Sequence, residues 1–200
     1  MSMFPSIQPL PFKPKMITGI SEKLIASHYE KNYGGAARRL LAISQELRRN
    51  IEDQVGYMLN GLKREELIAA NSVLLHEAYF DSLGGNSNLE DISEALMKAI
   101  HDHFGSFEIW KKNFAQMGKA LAGGSGWVLL IWSPRWKALK NIWAADHTHC
   151  LVNGRILLAL DMYEHAYHMD YGADAAAYVD CFMKNLDWQI GRASCRERVL

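Results

Sequence analysis

Between Ile20 and Leu47 the chain reads ISEKLIASHYEKNYGGAARRLLAISQEL, and its apolar positions recur at three- and four-residue steps, the period of an amphipathic helix. Gly34 and Gly35 interrupt the repeat and predict a kink or a close backbone approach there. On an α-helix Leu24, His28, Asn32 and Ala36 share one face, because each lies four residues after the last. A second run, KREELIAANSVLLHEAYFDSL, stops at Gly84-Gly85, which suit a C-terminal cap. Joined by a linker with a short helical stretch of its own, the two helices predict an antiparallel hairpin.

The pattern then changes. Asn88 and Ser106 are expected N-caps for LEDISEALMKAIHDHF and FEIWKKNFAQMGKAL, with Gly105 between them. GWVLLIW, a turn at Ser133-Pro134-Arg135, WKALKNIW and RILLALD follow, short runs that predict a small antiparallel sheet. ADAAAYVDCFMKNLDW closes the chain as helix. The fold class is therefore α+β, with an N-terminal antiparallel helical hairpin over residues 1–87 and a mixed domain over 88–189. That second domain is expected to hold a three-stranded antiparallel sheet surrounded by helices. Residues 190–200, IGRASCRERVL, break the helical pattern and read as a foreign tail, because IGRASCRERV matches the translation of a sequencing adapter.

Composition narrows the function classes. A chain of 200 residues, 49% apolar, can bury a sizeable core as one compact domain or two small ones. Its 22 Lys and Arg balance 22 Asp and Glu, and without the tail nineteen basic side chains face twenty-one acidic ones. Neither count supplies a polybasic surface for nucleic acid or an anionic membrane. Prolines in MSMFPSIQPLPFKPK occupy the place of a signal peptide's apolar region, and no run approaches the ~18 apolar residues of a membrane span. The expectation is a soluble cytoplasmic protein. Cys150, Cys181 and Cys195 show no paired spacing, so neither a disulfide framework nor a zinc knuckle is indicated.

The densest chemistry is LDMYEHAYHMDY, which brings Asp161, Glu164, His165 and His168 directly after the apolar RILLAL. His28 sits on the inner-looking face of the first helix, His76 lies within the second, and His165 follows the third strand with Asp161 at its end. Singly, each histidine has an ordinary reading as a hydrogen-bonded core residue. Together, three imidazoles and a carboxylate suit a borderline ion such as Fe, Mn, Co or Zn, with no need of thiolates. Composition leaves their convergence open.

The stretch DMYEHAYH resembles the signature Asp-x-Trp/Phe-Glu-His-small-aromatic-aromatic of the iron/manganese superoxide dismutase family. LPF near the start, HFGSFEIWKKNF and GGSGW resemble further blocks of that family in the same order, so the likeness runs from Leu10 to Trp188. It implies the fold just read and superoxide as substrate, with one iron or manganese ion per subunit held by His28, His76, Asp161 and His165. A fifth position would take hydroxide or water. In the family the glutamate of the signature reaches across a twofold axis to the ligand histidine of a second subunit, so Glu164 and His165 imply a homodimer.

Several positions depart from the family. A glutamine beside the solvent ligand is usual; the helix position here is Ser72, too short to serve, and the loop position is His147 in AADHTHCL, with His149 as the alternative if the loop alignment slips. The funnel histidine and tyrosine correspond to Asn32 and Ala36; Tyr33 offers a hydroxyl nearby, although its backbone position points it elsewhere. Phe80, Leu129 and Tyr163 replace common aromatic wall residues. His168 stands where the family's last signature aromatic meets the partner's funnel histidine, so a His168–Asn32 link across the dimer is expected in its place. The competing readings are a metal-binding homologue with little turnover and a ferritin-like bundle. The bundle would require Glu-x-x-His on two helices, a pair this chain does not offer.

Overall fold

A computed structural model describes residues 6–49, 55–85 and 87–188. The expected foreign tail at 190–200 lies outside the described residues. The first helix is a rod in three parts: α1 (Glu22–Ser27), a π-helical segment (His28–Tyr33) and α2 (Gly34–Arg49). Ser21 caps its start, the hydroxyl accepting from the Leu24 N–H at 3.1 Å. The irregularity thus falls one turn before the place expected from the glycines, and Gly34 and Gly35 are themselves helical. The Gly34 N–H reaches the Tyr29 carbonyl, the i to i−5 bond of a π turn. That wider turn moves the buried stripe by one residue. It runs through Leu24, His28, Tyr33, Ala37 and Leu40, whereas Asn32 and Ala36 are only half-buried, which corrects the face expected for them.

The second helix, α3, spans Gly56–Asp81 and packs against α2. It begins before Lys63, so a helical stretch expected in the linker is the first part of α3. Asn88 caps only the single 3₁₀ turn Leu89–Asp91; α4 (Glu94–Phe104) starts later, with Ser93 as its cap. The delay lets Ile92 pass in extended conformation and bury its side chain. Ser106 caps α5 (Phe107–Ala120) as expected.

Three strands follow, β1 (Trp127–Ser133), β2 (Ala138–Ala144) and β3 (Arg155–Asp161), in the order β2-β1-β3 and all antiparallel. Central β1 is buried on both faces, which is why its sequence is an unbroken apolar run. The register sets Trp127 opposite both Ala144 and Asp161. The start of β1, the exit of β2 and the end of β3 therefore meet at one end of the sheet. Short α6 (His168–Tyr171) and then α7 (Ala175–Lys184) complete the described chain.

Two contacts fasten the helical hairpin to the second half of the chain, one at the sheet and one at α7. Ser82, at the end of α3, donates to the Ala78 carbonyl at 2.6 Å and accepts from the buried Ala159 N–H of β3 at 3.3 Å. Asn185 donates to the Thr18 carbonyl at 2.8 Å and accepts from the Thr18 N–H at 3.0 Å, fastening the entry to α1 onto the end of α7. Behind the sheet, Gly118 lets α5 approach β3 and α7. A Cβ there would stand 2.7 Å from Leu160 Cδ2 and 3.1 Å from Val179 Cγ2.

Candidate metal centre

Four segments bring one ligand atom each to a common point. His28 comes from the π-helical segment, His76 from α3, Asp161 from the end of β3, and His165 from the 3₁₀ turn Glu164–Ala166. Their ligand atoms all lie within 4.8 Å of one another. From Asp161 Oδ2 the distances are 3.2 Å to His28 Nε2, 3.8 Å to His76 Nε2 and 3.1 Å to His165 Nε2. Asp161 has no exposed surface, and His28 and His76 are 1% exposed.

The backbone holds these groups in place. Tyr163 N–H donates to Asp161 Oδ1 at 2.9 Å, and the buried Tyr178 hydroxyl donates to the Asp161 carbonyl at the same distance. His76 Nδ1 meets the Ser72 carbonyl at 2.6 Å; a carbonyl can only accept, so Nδ1 carries the proton and Nε2 presents a lone pair. Ser72 thus serves the site through its backbone.

Electrostatics favour a cation at the centre. Burial lowers the pKa of His28, and lowers that of His76 to about 3, so both imidazoles are neutral at physiological pH. Burial alone would raise Asp161, but the His165 imidazole, 3.1 Å from its Oδ2, holds its carboxyl well below the usual range. A carboxylate without solvent contact needs a positive partner. The buried nitrogens His28 Nε2 and His76 Nε2 have no hydrogen-bond partner among the described residues either. Three imidazole nitrogens and one carboxylate oxygen facing one point fit a borderline ion, iron and manganese among them.

His147 also converges on the site. Its ring lies 6.3 Å from that of His76, 5.7 Å from Trp127 and 5.0 Å from Tyr163, centroid to centroid. Burial lowers its pKa. Asn71 Nδ2 holds its carbonyl at 2.6 Å, and its Nε2 is buried without a hydrogen-bond partner among the described residues, as is Trp127 Nε1. His149 points away: it is exposed, bonded to Asp146 at 3.0 Å and packed on Trp143.

Tyr33 is 1% exposed, which corrects the expectation that its backbone turns it away. Its hydroxyl donates to Glu77 Oε1 at 2.8 Å and accepts from the Gln8 N–H at 2.7 Å, and its ring lies 6.3 Å from His76. Burial pushes this phenol up to about 12, so it keeps its proton. Phe80 and Leu129 are buried beside the site or in the sheet behind it, and Phe80 packs on His28. Asn32 is half-buried, while Glu164 and His168 are exposed. Asn71 and Glu77 are marked in the sequence only by their nearness to His76 on α3, and Tyr178, which comes from α7, is marked by no local pattern.

A helical hairpin and an α+β half closing on three histidines and an aspartate define a mononuclear, non-haem metalloenzyme fold. Residues 92–193 match the family described as iron/manganese superoxide dismutases, C-terminal domain. The chain is 57% identical over 195 residues to the iron superoxide dismutase of Cupriavidus metallidurans, covering 97% of this chain and 96% of that one. It is 32% identical over 187 residues to the iron superoxide dismutase of Aquifex aeolicus, with 89% and 85% covered. It is also 28% identical over 188 residues to the manganese superoxide dismutase of Haloarcula marismortui, with 92% and 90% covered. The chain belongs to the iron/manganese superoxide dismutase family.

Proposed function

We propose that this protein converts superoxide to dioxygen and hydrogen peroxide at a single iron or manganese ion held by His28, His76, Asp161 and His165. The observation that carries the reading is the convergence of those four ligand atoms within 4.8 Å in a chain of this family. Bound there, the ion would supply the one-electron chemistry that both half-reactions of dismutation need. Two protons must reach the second half-reaction. The surrounding residues set the terms: neutral imidazoles and one carboxylate leave the centre with a net positive charge, which attracts an anionic substrate. Phe80 packs on His28 and Tyr163 on His165, which shields those rings from bulk water in part. His147 would hold solvent near the centre through Nε2, and Tyr33 with Glu77 forms a polar pair between the first helix and α3. The name of the 57% identical relative favours iron.

A homodimer is part of the proposal. Glu164 is exposed, and His165, with its side chain 25% exposed, uses Nε2 toward Asp161, which leaves Nδ1 for a second copy's Glu164. Asn32 and His168 are proposed to meet across the same axis. A cytoplasmic setting is proposed with it, supported by charge balance; among the described residues no helix is long and apolar enough to cross a membrane. The test loads the full chain with iron and with manganese separately, then measures metal per chain, superoxide consumption and sedimentation. One ion per chain, rapid consumption with at least one metal and a dimer are expected. Fully loaded protein that consumes superoxide no faster than buffer would overturn the assignment.

A further inference from the structure

The Tyr163 hydroxyl lies 3.3 Å from His147 Nδ1, and the two rings stack with their planes 25° apart. On its other side Tyr163 stacks on the ligand His165 at 5.4 Å and 17°, and His147 lies nearly parallel to the ligand His76 at 15°. The phenol is thus wedged between a metal ligand and the loop histidine. A protonated phenol is a good donor, and a neutral imidazole offers one acceptor nitrogen and one donor nitrogen. When Nδ1 accepts, the ring proton must sit on Nε2, the buried nitrogen that has no partner among the described residues.

We infer that Tyr163 is a positioning residue whose hydroxyl fixes the tautomer of His147, so that Nε2–H is presented to the metal centre as a hydrogen-bond donor. An amide at this loop position would present an N–H donor by covalent structure. An imidazole needs its other nitrogen occupied to do so reliably. Asn71 holds the backbone of the loop through the His147 carbonyl, leaving the ring's rotation and protonation to Tyr163. The inference rests on the proposed function for its purpose, but its physical content is a tautomer that exists with or without turnover.

The experiment therefore has two readouts. Nitrogen-15 correlation spectra of the ¹⁵N-histidine-labelled full chain, metal-free and loaded with diamagnetic zinc, should show His147 as one tautomer protonated at Nε2. Tyr163→Phe, which retains the stacked ring, should give mixed protonation. In the iron-loaded enzyme, Tyr163→Phe should retain one ion per chain but turn over about tenfold more slowly, the lower end of what lost orienting partners cost at metal sites. In a His147→Gln background the same substitution should cause no further loss, because an amide has no tautomer to fix. An unchanged His147 tautomer in Tyr163→Phe, or fully additive losses, would overturn the inference. Absence of superoxide turnover in a wild-type chain that shows the single tautomer would instead count against the proposed function.

Discussion

Tyr33 shares the buried side of the first helix with His28, five residues before it, because a π turn lies between them. An α-helix would give that place to Asn32. The extra residue in the turn therefore brings a phenol into the wall beside the ligands, where the sequence had suggested an amide and a methyl group. π turns concentrate at functional sites because they re-aim one side of a helix without ending it.

Replacing Tyr33 with Phe should leave metal content near one ion per chain, since no ligand is lost. It should lower stability by about 1–3 kcal/mol, because the Gln8 N–H and the half-buried Glu77 carboxylate lose their shared partner. Urea unfolding alongside elemental analysis checks both parts. Unchanged stability would show that water replaces the hydroxyl at no cost.

Alanine at His28, His76, Asp161 or His165 should each reduce bound metal at least tenfold at limiting supply, about the least that loss of an orienting partner costs. Elemental analysis after dialysis measures it. A variant that remains fully loaded and fully active would remove its residue from the site.

Ser82→Ala should cost about 1–3 kcal/mol, because the buried Ala159 N–H would lose its acceptor in a place water does not reach. Thermal unfolding should show a lower Tm, with turnover at room temperature retained. A Tm equal to that of the parent would mean that β3 re-pairs elsewhere.

Across the proposed dimer axis, Asn32→Ala and His168→Phe should be non-additive in dimer stability or activity when combined. Contacting residues couple by about 0.5–3 kcal/mol, and separated ones add. Additive behaviour would leave His168 as a solvated residue at the start of α6.

Periodicity and turn residues were enough for the hairpin, the order of helices and three strands, because each strand or helix buries a face whose spacing is written in its apolar positions. The ends were less legible. Asn88 and Ser93 are both good caps, and only the burial of Ile92 decides that α4 begins after the second. The four ligands could be named from the resemblance because each lies in a distinctive local block. Tyr33 could not be placed, since reading its face assumed an α-helical period that one π turn breaks. The Tyr163–His147 contact joins a loop to a turn 16 residues away, and no local pattern encodes such a meeting.

The four ligands belong to segments spread from residue 28 to residue 165, and three of them have almost no contact with solvent. An ion at their centre would be shielded on three sides by the packed hairpin and sheet, with the partly exposed His165 on the remaining side. Its exchange would then be slowed by the packing of the two halves as well as by the strength of its bonds. Where two ions fit the same donors, the one present as the halves first close gains an advantage. A purified molecule would then carry a record of the metal pool in which it matured.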